Sequence, residues 1–126
     1  EISACLVGSE MCIRDSAPTV EHLQNTHYAF YDIIRQARPD LPILLLSRPN
    51  VCAEIPEYIE RRRIVANTYQ KALQSGDQNI YFLDGESFFL GAERWDCTVD
   101  GVHPTDLGFW RMADRIASVL DPILNG

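Results

Sequence analysis

Asp100 and His103 stand three residues apart in the stretch CTVDGVHPTDLGF, with Pro104 directly after the histidine and a helical pattern beyond it. A histidine held by a carboxylate is the usual way to build a general base, because one ring nitrogen is fixed and the other is left to take a proton. Two intervening residues in a tight turn can bring the Asp100 carboxylate to the His103 Nδ1–H and leave Nε2 facing a hydroxyl. Gly101 permits such a turn, and Pro104 restrains the histidine backbone to an extended conformation. On D-x-x-H alone a plainer reading stands beside this one, in which Asp100 caps a turn and His103 packs at the start of a helix.

The elements that would position the pair follow a regular order. Val20, Leu23, Phe30, Ile33, Ile34 and Ala37 recur at helical spacing, with Pro18 suited to the first turn and Pro39 as the stop. LPILLLS, residues 41–47, is a short unbroken apolar run, as expected of a strand buried on both faces. The pattern then repeats. Tyr58, Ile59, Val65, Tyr69, Ala72 and Leu73 mark a helix over 56–75 that ends at Gly76, and NIYFLDG, residues 79–85, is a second strand. After a loop over 86–104, Thr105 can cap a last helix reaching about Leu120, with Asp106 in its first turn and Phe109, Met112, Ala113, Ile116 and Leu120 as its inner stripe.

Helix, strand, helix, strand, helix is an α/β order, and continuous apolar strands imply a parallel sheet covered on both faces. Ligands of such sheets bind outside the carboxyl ends of the strands, which is where the 86–104 loop carries Asp100 and His103. Two strands do not complete such a sheet, so the chain reads as the C-terminal part of a larger α/β domain, and only residues 1–8 offer another strand.

Composition excludes several function classes. The chain is 46% hydrophobic and 23% charged, with a formal net charge of −7, which argues against a nucleic-acid binder. Arg61-Arg62-Arg63 lies among Glu57, Glu60 and Gln70 and reads as a solvated helix face. No apolar stretch reaches the length of a membrane span. Cys5, Cys12, Cys52 and Cys97 show no C-x-x-C spacing, and His22 and His27 are five apart. No metal site or cofactor is therefore expected, and both histidines read as ordinary helix residues.

The run NTHYAFYDIIRQARPDLPILLLSRP followed by DCTVDGVHPTDLGFWRMA resembles the esterase-type branch of the SGNH (GDSL-like) hydrolases, over roughly residues 17–120. DxxHP before a C-terminal helix resembles the last signature block of that family. The resemblance implies a three-layer α/β/α fold of the flavodoxin-like kind, incomplete in this chain. It also implies ester hydrolysis by a Ser-His-Asp triad, with His103 as general base and Asp100 as its orienting partner. A small ester or acetylated carbohydrate would be the substrate.

The family's nucleophilic serine, in a GDS turn, and its oxyanion-hole Gly and Asn are not identifiable here. Gly8-Ser9 follows an apolar run, but the aspartate of GDS is absent and the segment after Ser9 is too short for the missing strands. Asp15 or Ser16 stands where the family's asparagine would be expected. VGSEMCIRDS resembles translated sequencing-adaptor read-through, so residues 1–16 are read as non-native or unassignable and 17–126 as the esterase portion. Without a nucleophile the chain is expected to be inactive alone. A second reading is a catalytically dead α/β module that binds a ligand or partner at the same edge; a third makes Asp100, His103 and Asp106 metal ligands. Tyr58, Phe88, Phe89 and Trp95 are expected either to line a pocket or to pack in the core. Localisation is unknown from the sequence, a secreted or periplasmic parent being one expectation, and oligomeric state is unknown as well.

Overall fold

A computed structural model describes residues 19–49 and 55–126 of the chain. Helix α1 spans Val20–Ala37, its first residue two positions after Pro18. Thr19 is its N-cap: the extended backbone there lets the Thr19 hydroxyl oxygen accept the His22 N–H at 3.0 Å, while Pro18 lies outside the described residues. Strand β1 (Ile43–Leu46), helix α2 (Pro56–Gln74) and strand β2 (Ile80–Leu83) follow. Pro56 opens α2 where its missing N–H costs nothing, and Gly76 closes it at φ +94°. Two short 3₁₀ turns, Gly85–Ser87 and Arg94–Cys97, punctuate the loop that leads to helix α3, Asp106–Asn125.

β1 and β2 pair in parallel, from Ile43 opposite Ile80 to Leu46 opposite Leu83, with α2 as the crossover. Alternate residues of each strand enter two different cores. Ile43, Leu45 and Ile80 join Tyr31 of α1 and Val65 and Ala72 of α2, with Tyr69 and Phe82 packed against them. Leu44 and Leu83 instead join Phe88, Phe89 and Cys97, covered by Met112, Ile116, Val119 and Leu120 of α3. The result is α1 and α2 on one face, α3 on the other and the sheet between: the three-layer α/β/α arrangement, with two strands among the described residues.

A polar clasp holds the amino-terminal ends of the strands. Arg35 donates to Asp77 at 2.9 Å and to the carbonyls of Leu41 and Asn79 at 2.6 and 3.1 Å, while the Tyr31 hydroxyl donates to Asp77 at 2.5 Å. Burial, the largest influence on Asp77, disfavours its charge; the hydrogen bonds from Tyr31, the Asn79 N–H and Arg35 more than offset it and hold the carboxyl below its usual range. Burial and the bond to Asp77 push the Tyr31 hydroxyl up to about 12.

Three expectations are corrected. Arg61 is not on a solvated face: it is 4% exposed and donates to Glu57 at 2.9 Å one turn earlier, while Arg62 pairs with Asp84 and Glu86 and Arg63 with Glu60. Burying Arg61 is tolerable because its charge is paired. In α3, Phe109 and Ala113 are exposed rather than part of the stripe. Gly108 takes the inward position, since a Cβ there would meet the Cys97 carbonyl oxygen at 2.1 Å, and the next residue along is rotated about 100° away from the core. The same helix continues through Pro122 to Asn125, beyond the expected end near Leu120. His27 is a helix residue with a specific tertiary bond, its Nδ1 lying 2.7 Å from the Thr68 hydroxyl of α2.

Candidate active site

The loop after β2 is shaped by its own short-range bonds before it meets anything else. Thr98 and Pro104 form an isolated antiparallel bridge, the Val99 N–H donates to the His103 carbonyl at 2.8 Å, and the Thr105 N–H donates to the Cys97 carbonyl at 2.9 Å. These bonds pinch residues 98–104 into a narrow lobe. Its tip turns through Gly101 at φ +84°, in the left-handed region that glycine occupies without strain. The Gly101 N–H is taken by the Thr98 hydroxyl at 3.0 Å.

Asp100 organises the rest of the lobe. Its Oδ1 accepts the Val102 N–H at 2.9 Å and the His103 N–H at 2.8 Å, and its Oδ2 sits 2.6 Å from His103 Nδ1. The His103 backbone N–H contributes most to stabilising the carboxylate, followed by the His103 side chain and the Val102 N–H, and the carboxyl is held down at about 2. An ionised Asp100 accepts only, so Nδ1 carries the proton that joins the pair, and in the neutral ring Nε2 is the nitrogen that keeps a lone pair. The histidine side chain is 64% exposed, which leaves that nitrogen open to a ligand.

The lobe is anchored at its base. Cys97 is fully buried, and the Thr105 hydroxyl donates to the Asp96 carbonyl at 2.7 Å while its oxygen accepts the Gly108 N–H as cap of α3. Helix α3 thus starts at the point where the lobe closes. This fixes the direction in which His103 leaves the protein.

The structure brings Asp100 and His103 together and leaves other candidates apart. Asp106 is a first-turn residue of α3, and no three His, Cys, Asp or Glu side chains gather as metal ligands among the described residues, so the Asp100–His103–Asp106 metal reading is set aside. Phe88 and Phe89 are core residues, 4% and 2% exposed, and pack with Leu44, Leu83 and Cys97. Trp95 is exposed with the Arg94 guanidinium 5.4 Å from its ring, and Tyr58 is half-buried beneath Arg48. No serine, threonine or cysteine side chain among the described residues is hydrogen-bonded to His103; Ser9, Asp15 and Ser16 lie outside them.

Sequence reasoning missed how the carboxyl edge is stitched together beneath this lobe. The Ser47 hydroxyl oxygen, just past β1, accepts the Gly85 N–H at 2.7 Å, and its proton points to Asp84 Oδ1 at 3.3 Å. Gly85 lies against the backbone after β1, where a Cβ would fall 2.0 Å from the Arg48 carbonyl oxygen. A small polar residue directly after one strand and Asp-Gly after the next were the available signals.

Known proteins agree with this architecture. The chain resembles the solved structure of a protein described as a GDSL-like lipase from Bacteroides ovatus, at 24% identity and a TM-score of 0.72 over 85% of this chain and 33% of that one. It also resembles a salicylyl-acyltransferase from a tetracycline biosynthetic pathway, at 20% identity and a TM-score of 0.58 over 82% of this chain and 33% of that one. The chain therefore spans about a third of the length of these structures, and the likeness is one of fold. No curated protein matches it in sequence. The sequence profile of the GDSL-like Lipase/Acylhydrolase family, however, matches residues 7–121, most of the chain. On that match, with the three-layer fold beneath it, the chain belongs to the GDSL-like Lipase/Acylhydrolase family.

Proposed function

We propose that this chain carries the general-base half of a serine ester hydrolase, with His103 as base and Asp100 as the residue that orients it. The observation that carries the reading is the 2.6 Å contact between Asp100 Oδ2 and His103 Nδ1, made while Nε2 is left open. In the reaction so assigned, Nε2 takes the proton from a serine hydroxyl as its oxygen attacks the ester carbonyl. The imidazolium, steadied by Asp100, then passes that proton to the leaving alcohol and an acyl-serine remains. A water deprotonated by Nε2 releases the acid, and the proton returns to the serine oxygen. If an alcohol replaces water, the same steps give acyl transfer.

The nucleophile belongs to sequence outside the described residues, and the chain by itself is expected to be inactive or nearly so. Small esters or acetylated carbohydrates are the substrate class we assign. The test compares p-nitrophenyl acetate hydrolysis by this chain with that by a reading frame extended upstream to include a GDS-type serine. We expect no p-nitrophenol burst from the former and turnover from the latter, lost with His103→Ala. Turnover by the present chain that His103→Ala abolishes would overturn the inactivity, and turnover by the extended chain that survives His103→Ala would overturn the assignment of the base. An extended frame with another residue in place of that serine would favour a binding module that kept the fold.

A further inference from the structure

Arg48 lies two residues past the end of β1, on the same carboxyl edge from which the His103 lobe departs. Its guanidinium carbon sits 3.6 Å from the centroid of the Tyr58 ring, in the first turn of α2. A guanidinium stacked by its face keeps its N–H donors directed outward in its own plane. Among the described residues none of those donors meets an acceptor. The nearby carboxylates are engaged elsewhere: Glu57 by Arg61, and Asp84 and Glu86 by Arg62.

Both ends of this side chain are held in place. Its carbonyl oxygen lies where a Cβ on Gly85 would fall, so the backbone is packed against the second strand's exit, and its head rests on Tyr58. A planar, weakly hydrated cation held in this way loses little freedom when it grips an oxyanion with two parallel hydrogen bonds. The chain as a whole is acidic, with a formal net charge of −7, so an anionic group reaching this edge needs a local cation.

We propose that Arg48 is a specificity-determining residue that receives an oxyanionic group, a carboxylate by fit to the planar fork, on a ligand lying along the edge toward His103. The nature of the rest of that ligand rests on the ester-hydrolase reading. The substrate so defined is a half-ester: a small ester bearing a free carboxylate on its acyl portion.

The test uses the full chain and two non-hydrolysable amides, N-phenylsuccinamate and its neutral counterpart N-phenylbutanamide, followed by NMR at the Arg48 Nε–H and the His103 ring. The anionic amide is expected to shift both sets of resonances saturably and to bind at least about tenfold more tightly than the neutral one, the scale of a charge-assisted hydrogen-bond pair. R48Q should abolish that preference. R48K, which keeps the charge and the fold but not the fork, should lose most of it, and H103A should retain it. Equal affinity for the two amides, shifts that spare Arg48 or His103, or a preference that survives R48Q would each overturn the proposal. Failure of the ester-hydrolase reading would show separately, as absence of hydrolysis by the extended chain, and leaves this binding result unchanged.

Discussion

Asp100 holds His103 at two points: one carboxylate oxygen accepts the histidine's own backbone N–H at 2.8 Å and the other meets its ring Nδ1 at 2.6 Å. The turn that places the histidine and the bond that orients its ring thus come from a single side chain. Replacement of Asp100 separates the two roles. Asp100→Asn keeps an oxygen for the backbone N–H groups but cannot supply a second acceptor to Nδ1–H without turning its NH₂ away. The expected outcome is a shift of His103 toward the Nε2–H tautomer, read from ¹⁵N ring couplings in this chain. In the extended enzyme kcat should fall by roughly 10⁴, the scale of the comparable change in a serine-protease triad. An unchanged tautomer would refute the orienting role.

The pH dependence follows from the same hold. With its carboxyl near 2, Asp100 stays ionised through the whole range in which a histidine titrates. The stabilisation it gives the lobe, being that of a depressed carboxyl, is present above the ordinary value of 3.8 and is lost as pH falls through about 2. A loss of hydrolysis by the extended chain on mild acidification would therefore not come from protonation of Asp100. A titration of the Asp100 carboxyl carbon by NMR should show no midpoint above pH 3.

His27 supplies a second pH effect, away from the Asp100–His103 lobe. The Thr68 hydroxyl donates to the Ile64 carbonyl at 3.3 Å and so serves as acceptor for His27 Nδ1–H. Burial lowers the imidazole's pKa from its ordinary 6.5, so the folded chain holds fewer protons than the unfolded one between the two values. Stability is therefore full above about pH 6.5 and declines as pH falls toward the lowered value. Urea midpoints at pH 7.5 and 5.5 should separate for the unsubstituted chain and converge for His27→Gln.

Two glycines should respond differently to alanine. Gly108→Ala places a methyl 2.1 Å from the Cys97 carbonyl oxygen, against backbone at the base of the His103 lobe, and should cost about 3 kcal/mol. Gly76→Ala meets nothing within 4 Å and suffers only from φ +94°, so about 1 kcal/mol is expected. Denaturant titrations of the two variants provide the comparison, and only Gly108→Ala should also move the His103 ring resonances.

The clasp at the opposite end of the sheet should prove costly to open. Asp77 and Arg35 side chains are 7% and 15% exposed, and removal of one member leaves the other buried without its partner. Asp77→Ala is expected to lose about 3 kcal/mol, by chemical denaturation. Arg35→Met, which removes the buried charge together with its bonds, should bring the carboxyl of Asp77 back up.

Much of this molecule can be read from relations confined to a few neighbouring residues. The unbroken apolar run at 43–46 and its counterpart at 80–83 identify strands buried on both faces, because a strand's period sends alternate side chains to opposite layers. D-G-V-H closes a turn whose bonds all lie within three residues, so the Asp100–His103 pair is determined locally. What the tertiary structure decided involves partners far apart in the chain. Helical periodicity marks an apolar face but does not say which neighbour will press on it. Arg61 is buried, and Gly108 displaced Phe109 from the inner stripe because the Cys97 carbonyl left no room for a side chain. The bond from Gly85 to Ser47, 38 residues apart, and the stack of Arg48 on Tyr58 exist only because two parallel strands end side by side. The Asp100–His103 pair is thus a property of local sequence, while the edge that carries it is assembled by the fold.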